Sequence, residues 1–167
     1  MKYATFFGGA INDDTTKEYR DSILIGELLS KNGYTVKNGG YRGLMEAVSK
    51  GAAESGGEVI GYTCSTFGFT QGNKYLTETV TCTDIYNRLR QLIIFSEVFV
   101  IQRGGIGTLA ELFLLLDEVR KMKTLPKIYL FGEQWFNLFQ NMGDFMSPKQ
   151  IEMITFCKDF NDFKEIF

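Results

Sequence analysis

Short apolar runs alternate along the chain with longer segments whose apolar positions recur at helical spacing. The apolar runs are typical of strands buried in a parallel sheet. The predicted strands cover residues 2–7, 34–37, 58–62, 75–82, 98–101, 127–131 and 154–156. Because the strands alternate with helices, the pattern predicts an α/β fold: a Rossmann-like, doubly wound parallel sheet with helices on both faces.

Capping signals mark where the helices begin and end. Thr15 and Glu18 have the spacing of a capping box, which predicts the start of the first helix, and Gly33 is its predicted C-cap. A second helix is predicted within residues 41–57. Thr83 or Asp84 is the expected N-cap of a third. Further helices are predicted over 108–122 and 135–141, with short helices in the tail.

Glycine clusters follow the first, second and fifth predicted strands, at residues 8–9, 39–40 and 104–107. The carboxyl ends of parallel strands meet at one edge of such a sheet, where ligands bind. Glycine permits close approach and positive φ, and free N–H groups at a helix start attract anions. The three turns therefore predict one anion-binding edge.

The third turn lies in the sequence "FVIQRGGIGTLAEL", residues 99–112. It lacks the Lys of a Walker A loop and the spacing of a dinucleotide fingerprint. Thr108 offers a hydroxyl donor beside the glycines. Thr108 and Glu111 also have the spacing of a capping box, so Glu111 has two interpretations from local pattern: a cap or a catalytic carboxylate.

Length and composition set the broad class. With 167 residues, the chain is expected to form a single domain over 1–167. Its net charge of −2 predicts no nucleic-acid surface, and the absence of a long apolar run predicts no membrane span. Three cysteines without a CxxC pair favour a reducing, cytoplasmic location.

The sequence contains no histidine, and this excludes several chemistries. A Ser-His-Asp triad, a Cys-His pair and nearly every catalytic zinc site require that residue. An enzyme built on this chain would have to use carboxylates, Arg, Lys, Tyr, Ser or a cofactor. We predict no metal site and no cofactor.

Several segments together resemble one family. "RGGIGTLAE" resembles the P-G-G-x-G-T-x-x-E motif of the Lonely Guy (LOG) family, and "NGGYRGLMEAVSKGA" resembles its G-G-x-x-G-L-M-x-x-x-A-x-G-A stretch. "YNRLRQL" places Arg88 where that family has an active-site arginine. The resemblance covers essentially the whole chain. LOG proteins are known as cytokinin-activating nucleoside 5′-monophosphate phosphoribohydrolases.

The resemblance implies a Rossmann-like homodimer that binds an AMP-like nucleoside monophosphate and releases free base and ribose 5-phosphate. Arg88 and Glu111 would flank the N-glycosidic bond. A carboxylate there can stabilise an oxocarbenium-like ribose or accept a proton from water. The phosphate would contact Arg103, Gly104, Gly105, Ile106, Gly107 and Thr108. Further nucleotide contacts are expected at Gly8, Gly9, Ala10, Gly39, Gly40, Tyr41, Arg42 and Met45.

Four positions differ from the family pattern. Arg103 replaces Pro, Leu89 replaces Lys, Ala10 replaces Ser, and Glu46 stands where a small residue is usual. These differences leave open an alternative function, a non-catalytic nucleotide- or cofactor-binding protein such as a sensor or a molybdenum-cofactor carrier. For Arg88 the alternatives are a solvated helix face or an exposed salt bridge with Asp84, four residues earlier.

Other residues are weaker candidates for ligand contact. Aromatic side chains that could stack on a base are Phe67, Phe69, Trp135 and Phe136, although aromatics are more often part of the core. Residues after the first turn that could touch a ribose are Asn12, Asp13 and Asp14. Loop residues that could form a lid are Gln71, Asn73 and Lys74.

Overall fold

The computed structural model describes residues 1–10, 13–122 and 124–167. Its strands are β1 (Lys2–Phe7), β2 (Tyr34–Asn38), β3 (Val59–Cys64), β4 (Glu78–Cys82), β5 (Ser96–Ile101), β6 (Lys127–Phe131) and β7 (Ile154–Cys157). Its α-helices are α1 (Lys17–Lys31), α2 (Leu44–Glu54), α3 (Ile85–Ile93), α4 (Ile106–Val119), α5 (Glu133–Gln140), α6 (Pro148–Glu152) and α7 (Phe160–Ile166). A short 3₁₀ turn covers Ser65–Phe67.

The seven strands form one parallel sheet in the order β4-β3-β2-β1-β5-β6-β7. The chain runs outward from β1 to β4 and then returns to β5 on the other side of β1. The order of strands therefore reverses between β1 and β5, which is where ligands bind in open α/β sheets. The predicted Rossmann-like, doubly wound sheet is confirmed.

Two hydrophobic cores cover the two faces of this sheet. Successive side chains of strand β5 point to opposite faces of the sheet, so this one strand contributes to both cores. Phe99 and Ile101 join the core that contains Leu92 of α3 and Leu112 of α4. Val98 and Val100 join the core that contains buried residues of α1, α2 and α7. Strands buried on both faces give the uninterrupted apolar runs seen in the sequence.

The structure corrects two predicted helix starts. The first helix is capped by Thr16, whose hydroxyl accepts from the Tyr19 N–H, so the capping box placed at Thr15 is wrong by one residue. The fourth helix begins at Ile106 after Gly105 as its N-cap, rather than at Thr108. Glu111 therefore lies in the second turn of α4, and its interpretation as the end of a capping box is wrong.

The start of α3 agrees with one of the two predicted caps. Asp84 is its N-cap, and its carboxylate accepts from the Asn87 N–H at 2.9 Å. Gly33 follows the C-cap of α1 with a φ of 80°, as expected of a glycine that ends a helix. Within residues 1–10, 13–122 and 124–167, no helix has the length and apolar character needed to span a bilayer.

Candidate functional site

The three glycine turns meet at the carboxyl edge of the sheet. The Gly9 N–H donates to the Arg103 carbonyl at 3.0 Å, which joins the turn after β1 to the turn after β5. The Leu44 N–H donates to the Gly9 carbonyl at 2.9 Å, which joins the start of α2 to the same place. The turns after β1 and β5 thus lie side by side at the point where the strand order reverses.

The turn after β5 presents an uncapped helix start. Gly105 makes no side-chain cap, and the first turn of α4 contains no acidic residue. Ile106 is 82% exposed and Gly107 is also exposed. A Cβ at Gly104 would overlap the Thr108 hydroxyl, so glycine allows the turn to pack against that group. The first-turn N–H groups and the helix dipole suit this turn to an anion.

Arg88 and Glu111 form a buried ion pair near this edge. Arg88 Nη1 lies 3.5 Å from Glu111 Oε1, and their side chains are 7% and 12% exposed. Arg88 Nε donates to the Tyr62 carbonyl at 2.7 Å, and Nη2 donates to the Gly39 carbonyl at 3.4 Å. The predicted exposed pair of Arg88 with Asp84 is therefore wrong: the guanidinium turns inward between β2, β3 and α4.

Aromatic rings flank the Arg88 guanidinium. Its Cζ lies 5.5 Å from the ring centre of Tyr41 and 5.8 Å from that of Phe67, within the range of cation–π attraction. A Cβ at Gly39 would overlap Arg88 Nη2 and come within 2.7 Å of the Met45 sulfur. Gly39 is therefore required for Arg88 to approach the backbone after β2.

Burial raises the pKa of Glu111 to about 7, and the neighbouring Arg88 opposes that rise. At neutral pH the carboxyl group is then close to half ionised. Such a group can accept a proton in one step and return it in another. Its ionised form can also stabilise positive charge that develops nearby in a transition state.

A cleft of about 720 Å³ opens beside this pair. Its walls come from the turn after β1, the turn after β2, the first turn of α2 and the loop after β3: Ala10, Tyr41, Arg42, Glu46, Phe69, Gln71, Gly72, Asn73 and Lys74. Tyr41 lines the cleft and also packs over Arg88, so the cleft and the ion pair adjoin. The predicted loop residues Gln71, Asn73 and Lys74 form one wall of it.

Several predicted residues lie elsewhere. Arg103 lines a small crevice with Lys17 and Gly132 rather than the cleft, and its contact with a phosphate stays a prediction. Trp135 is buried in the core, and Phe136 packs edge-on against Phe156. Asn12 falls outside the described residues. The Asp13 carboxylate accepts from Thr15, within its own turn.

The sequence analysis missed a buried lysine in the sheet. Lys37 lies in β2 and is 1% exposed. Its Nζ donates to the Ile94 carbonyl at 2.8 Å and lies 5.5 Å and 5.6 Å from the ring centres of Tyr3 and Tyr62. Burial lowers the pKa of Lys37 to about 8. Its position two residues before Gly39 in a predicted strand was the available signal.

The described residues do not assemble a metal centre. In the part of the chain that the structure describes, no group of three or more His, Cys, Asp or Glu residues is placed to hold a metal ion. The chemical groups at this edge are instead a buried carboxyl, a buried guanidinium, the first N–H groups of α4 and an open cleft with charged residues in its walls.

The sheet order and a site at its reversal point define a Rossmann-like α/β protein of the LOG type. The chain belongs to the SLOG cluster4 family, which residues 3–153 match. The resemblance found in the sequence is confirmed.

One curated relative carries a functional name. The chain is 29% identical over 168 residues to a cytokinin riboside 5′-monophosphate phosphoribohydrolase from Rhodococcoides fascians. That alignment covers 95% of this chain and 85% of the relative.

Solved structures show the same fold. The X-ray structure of TM1055, a structural-genomics target, matches with a TM-score of 0.76 and 26% identity over 99% of this chain and 98% of that one. The molybdenum cofactor binding protein from Rippkaea orientalis matches with a TM-score of 0.75 and 19% identity, covering 99% and 95% of the two chains. At that identity, the second likeness shows the fold alone.

Proposed function

We propose that this protein hydrolyses the N-glycosidic bond of a nucleoside 5′-monophosphate, giving free base and ribose 5-phosphate. The observation that carries the proposal is the buried Arg88–Glu111 pair beside the uncapped start of α4. The name of the Rhodococcoides relative supports it. The direct experiment is chromatography of free base released from AMP, GMP and CMP by the wild-type protein.

In this proposal the 5′-phosphate lies on the first turn of α4, against the N–H groups of residues 105–108. Glu111 follows Gly105 by six residues, which is about 9 Å along a helix axis. Helical side chains point back toward the N-terminus, so the carboxyl group reaches toward the ribose of a nucleotide held there.

The reaction breaks the bond between C1′ and the base nitrogen, and its electron pair leaves with the base. Water adds to C1′. Ionised Glu111 stabilises the oxocarbenium-like ribose and accepts the proton of the attacking water. That proton then passes to the nitrogen of the departing base, so water is divided between C1′ and the base and Glu111 is ionised again. Arg88 holds the carboxyl in place through the 3.5 Å contact and is itself fixed by two main-chain carbonyls.

A second candidate function is binding without catalysis. Arg88 Nε and Nη2 already donate to the main chain, and Tyr41 and Phe67 flank the guanidinium. These contacts also suit an arginine whose only role is to hold the turns together. A sensor or cofactor carrier would bind a nucleotide-type ligand and release no base from any of the three nucleotides.

The rate of base release is expected to rise with pH through about 7. The pKa of Glu111 is raised to about 7, and only its ionised form can accept the proton from water. Below that value the rate should fall about tenfold for each pH unit. The measurement is initial rate between pH 5 and 9 at saturating nucleotide. An initial rate that does not change with pH would show that ionisation of Glu111 does not control the rate-limiting step.

Phosphate should dominate ligand binding. A ligand present at a hundredfold excess over its Kd stabilises the fold by about 2.7 kcal/mol. AMP and ribose 5-phosphate should therefore raise the melting temperature, and adenosine should raise it far less. Gly107→Asp places a carboxylate in the exposed first turn of α4 and should remove the shift, while Gly107→Ala should retain it. An equal shift with adenosine would contradict the phosphate position.

We also propose that the protein forms a homodimer through α3 and α4. Ile106 of α4 is 82% exposed and Tyr86 of α3 is 81% exposed. Leu109 and Phe113, which are partly buried against the core, continue the same side of α4 at spacings of three and four residues. A second copy would cover this apolar surface. Light scattering should give twice the 19.0 kDa mass of one chain. A 19.0 kDa species at micromolar concentration would refute it.

The location is proposed from the cysteines. Cys64, Cys82 and Cys157 are free thiols and buried. They fit a reducing compartment, for which we propose the cytoplasm.

A further inference from the structure

The cleft beside the Arg88–Glu111 pair has charged walls whose charges are available to a ligand. Arg42, Glu46 and Lys74 all line it. Among the described residues, none of these three side chains forms an ion pair with another. A cleft with one carboxylate and two cations suits a ligand that carries both hydrogen-bond donors and acceptors.

The wall formed by the loop after β3 is held in place before any ligand binds. The Asn73 side-chain amide donates to the Tyr41 carbonyl at 3.0 Å, and the Asn73 N–H donates to the Gly40 carbonyl at 2.8 Å. Thr63 Oγ1 donates to the Thr70 carbonyl at 3.0 Å. Hydrogen bonds to the turn after β2 and to β3 thus fix this wall of the cleft without a ligand.

The direction of a bound nucleotide follows from the proposed function, on which this inference rests. With the phosphate on the start of α4 and C1′ at Glu111, the base extends past Arg88 and Tyr41. Tyr41 borders both the ion pair and the cleft. Phe69 lines the same cleft and is 74% exposed, so its ring is free to stack on a base.

We propose that this cleft holds the leaving base and that Glu46 and Arg42 select guanine. A carboxylate accepts hydrogen bonds and donates none. Guanine offers two adjacent donors, N1–H and the 2-amino group, which match its two oxygens. Adenine has no hydrogen on N1, so it would direct the N1 lone pair at one of the two carboxylate oxygens. Arginine pairs well with guanine O6 and N7, and this edge, which adjoins the one that carries N1–H, is assigned to Arg42.

Glu46 is therefore a specificity residue, and this assignment replaces the AMP-like ligand that the family resemblance implies with a guanine nucleotide. Hypoxanthine is the sharpest comparison because it lacks only the 2-amino group of guanine. A hydrogen bond to a charged group is worth roughly tenfold or more in affinity. GMP should therefore bind at least about tenfold more tightly than IMP, and also more tightly than AMP.

The test is calorimetric titration with GMP, IMP and AMP in the Glu111→Gln background, which prevents turnover during the measurement. Glu46→Gln and Glu46→Ala should reduce the ratio of GMP to IMP affinity to about twofold or less. Glu54→Gln, on the exposed end of the same helix, is the matched control and should keep the ratio. Should Glu111→Gln fold poorly, the ratio of kcat/KM for GMP and IMP in the Glu111 background gives the same comparison.

Equal binding of GMP and IMP, tighter binding of AMP, or a ratio unchanged in Glu46→Gln would each overturn the base assignment. The outcome is separable from that of the proposed function. A normal GMP preference without base release from any nucleotide refutes hydrolysis alone. Base release with equal GMP and IMP binding refutes the guanine assignment alone.

Discussion

Glu111→Gln is expected to lower the rate of base release by at least about 100-fold while nucleotide affinity stays within a few fold. Glutamine keeps the size of the side chain, and its oxygen can still accept from Arg88, which lies 3.5 Å from the carboxylate. It cannot accept a proton from water or supply a negative charge to the ribose. The measurement is chromatography of free base, with binding followed by calorimetry.

The matched control is Glu118→Gln on the same helix. Glu118 pairs with the Lys121 ammonium near the end of α4, two turns beyond Glu111. Its neutralisation should leave base release unchanged. An unaltered rate in Glu111→Gln would leave the protein an enzyme and remove Glu111 from its mechanism. No release by the wild type, despite nucleotide binding, would favour the sensor or carrier function.

The pattern of apolar runs predicted the sheet well because most strands are buried on both faces. Strand β5 is the clearest case, since Val98–Ile101 contributes to both cores. The helix starts were less predictable. Thr16 rather than Thr15 caps α1, and Gly105 rather than Thr108 precedes α4. Two adjacent threonines compete for the cap of α1, and the glycine that precedes α4 has no side chain to mark it as a cap, so only the backbone geometry fixes the two helix starts.

The glycine turns could be predicted from the sequence, and the resemblance to the LOG family implied that Arg88 and Glu111 share a site, but the geometry of that site could not be predicted. On the sequence, Arg88 has Asp84 four residues before it and fits an exposed helical pair. In the structure Asp84 caps α3, and Arg88 turns toward the Gly39 and Tyr62 carbonyls. Those two carbonyls lie far from Arg88 in the sequence, so the local pattern cannot predict them as its hydrogen-bond partners.

Two glycines inside helices have a packing role that the local sequence pattern does not reveal. Gly26 of α1 and Gly51 of α2 lie at positions where propensity disfavours glycine. A Cβ at Gly26 would overlap the Val48 carbonyl oxygen, and one at Gly51 would overlap the Ile23 carbonyl oxygen. Each glycine therefore allows the backbone of the other helix to approach, and α2 carries Met45 and Glu46 into the site.

Gly51→Ala is consequently expected to destabilise the fold by about 3 kcal/mol or more, because the added methyl group meets backbone that cannot move alone. Helix propensity by itself predicts the opposite sign, a gain of about 1 kcal/mol. Gly107→Ala in α4 is the control: a Cβ there meets no described atom within 4 Å, so its stability should change little or rise. Urea unfolding of both variants, followed by circular dichroism, measures the difference. If Gly51→Ala proved as stable as Gly107→Ala, the close packing of α1 against α2 would not be a determinant of this fold, and α2 would owe its position to the sheet alone.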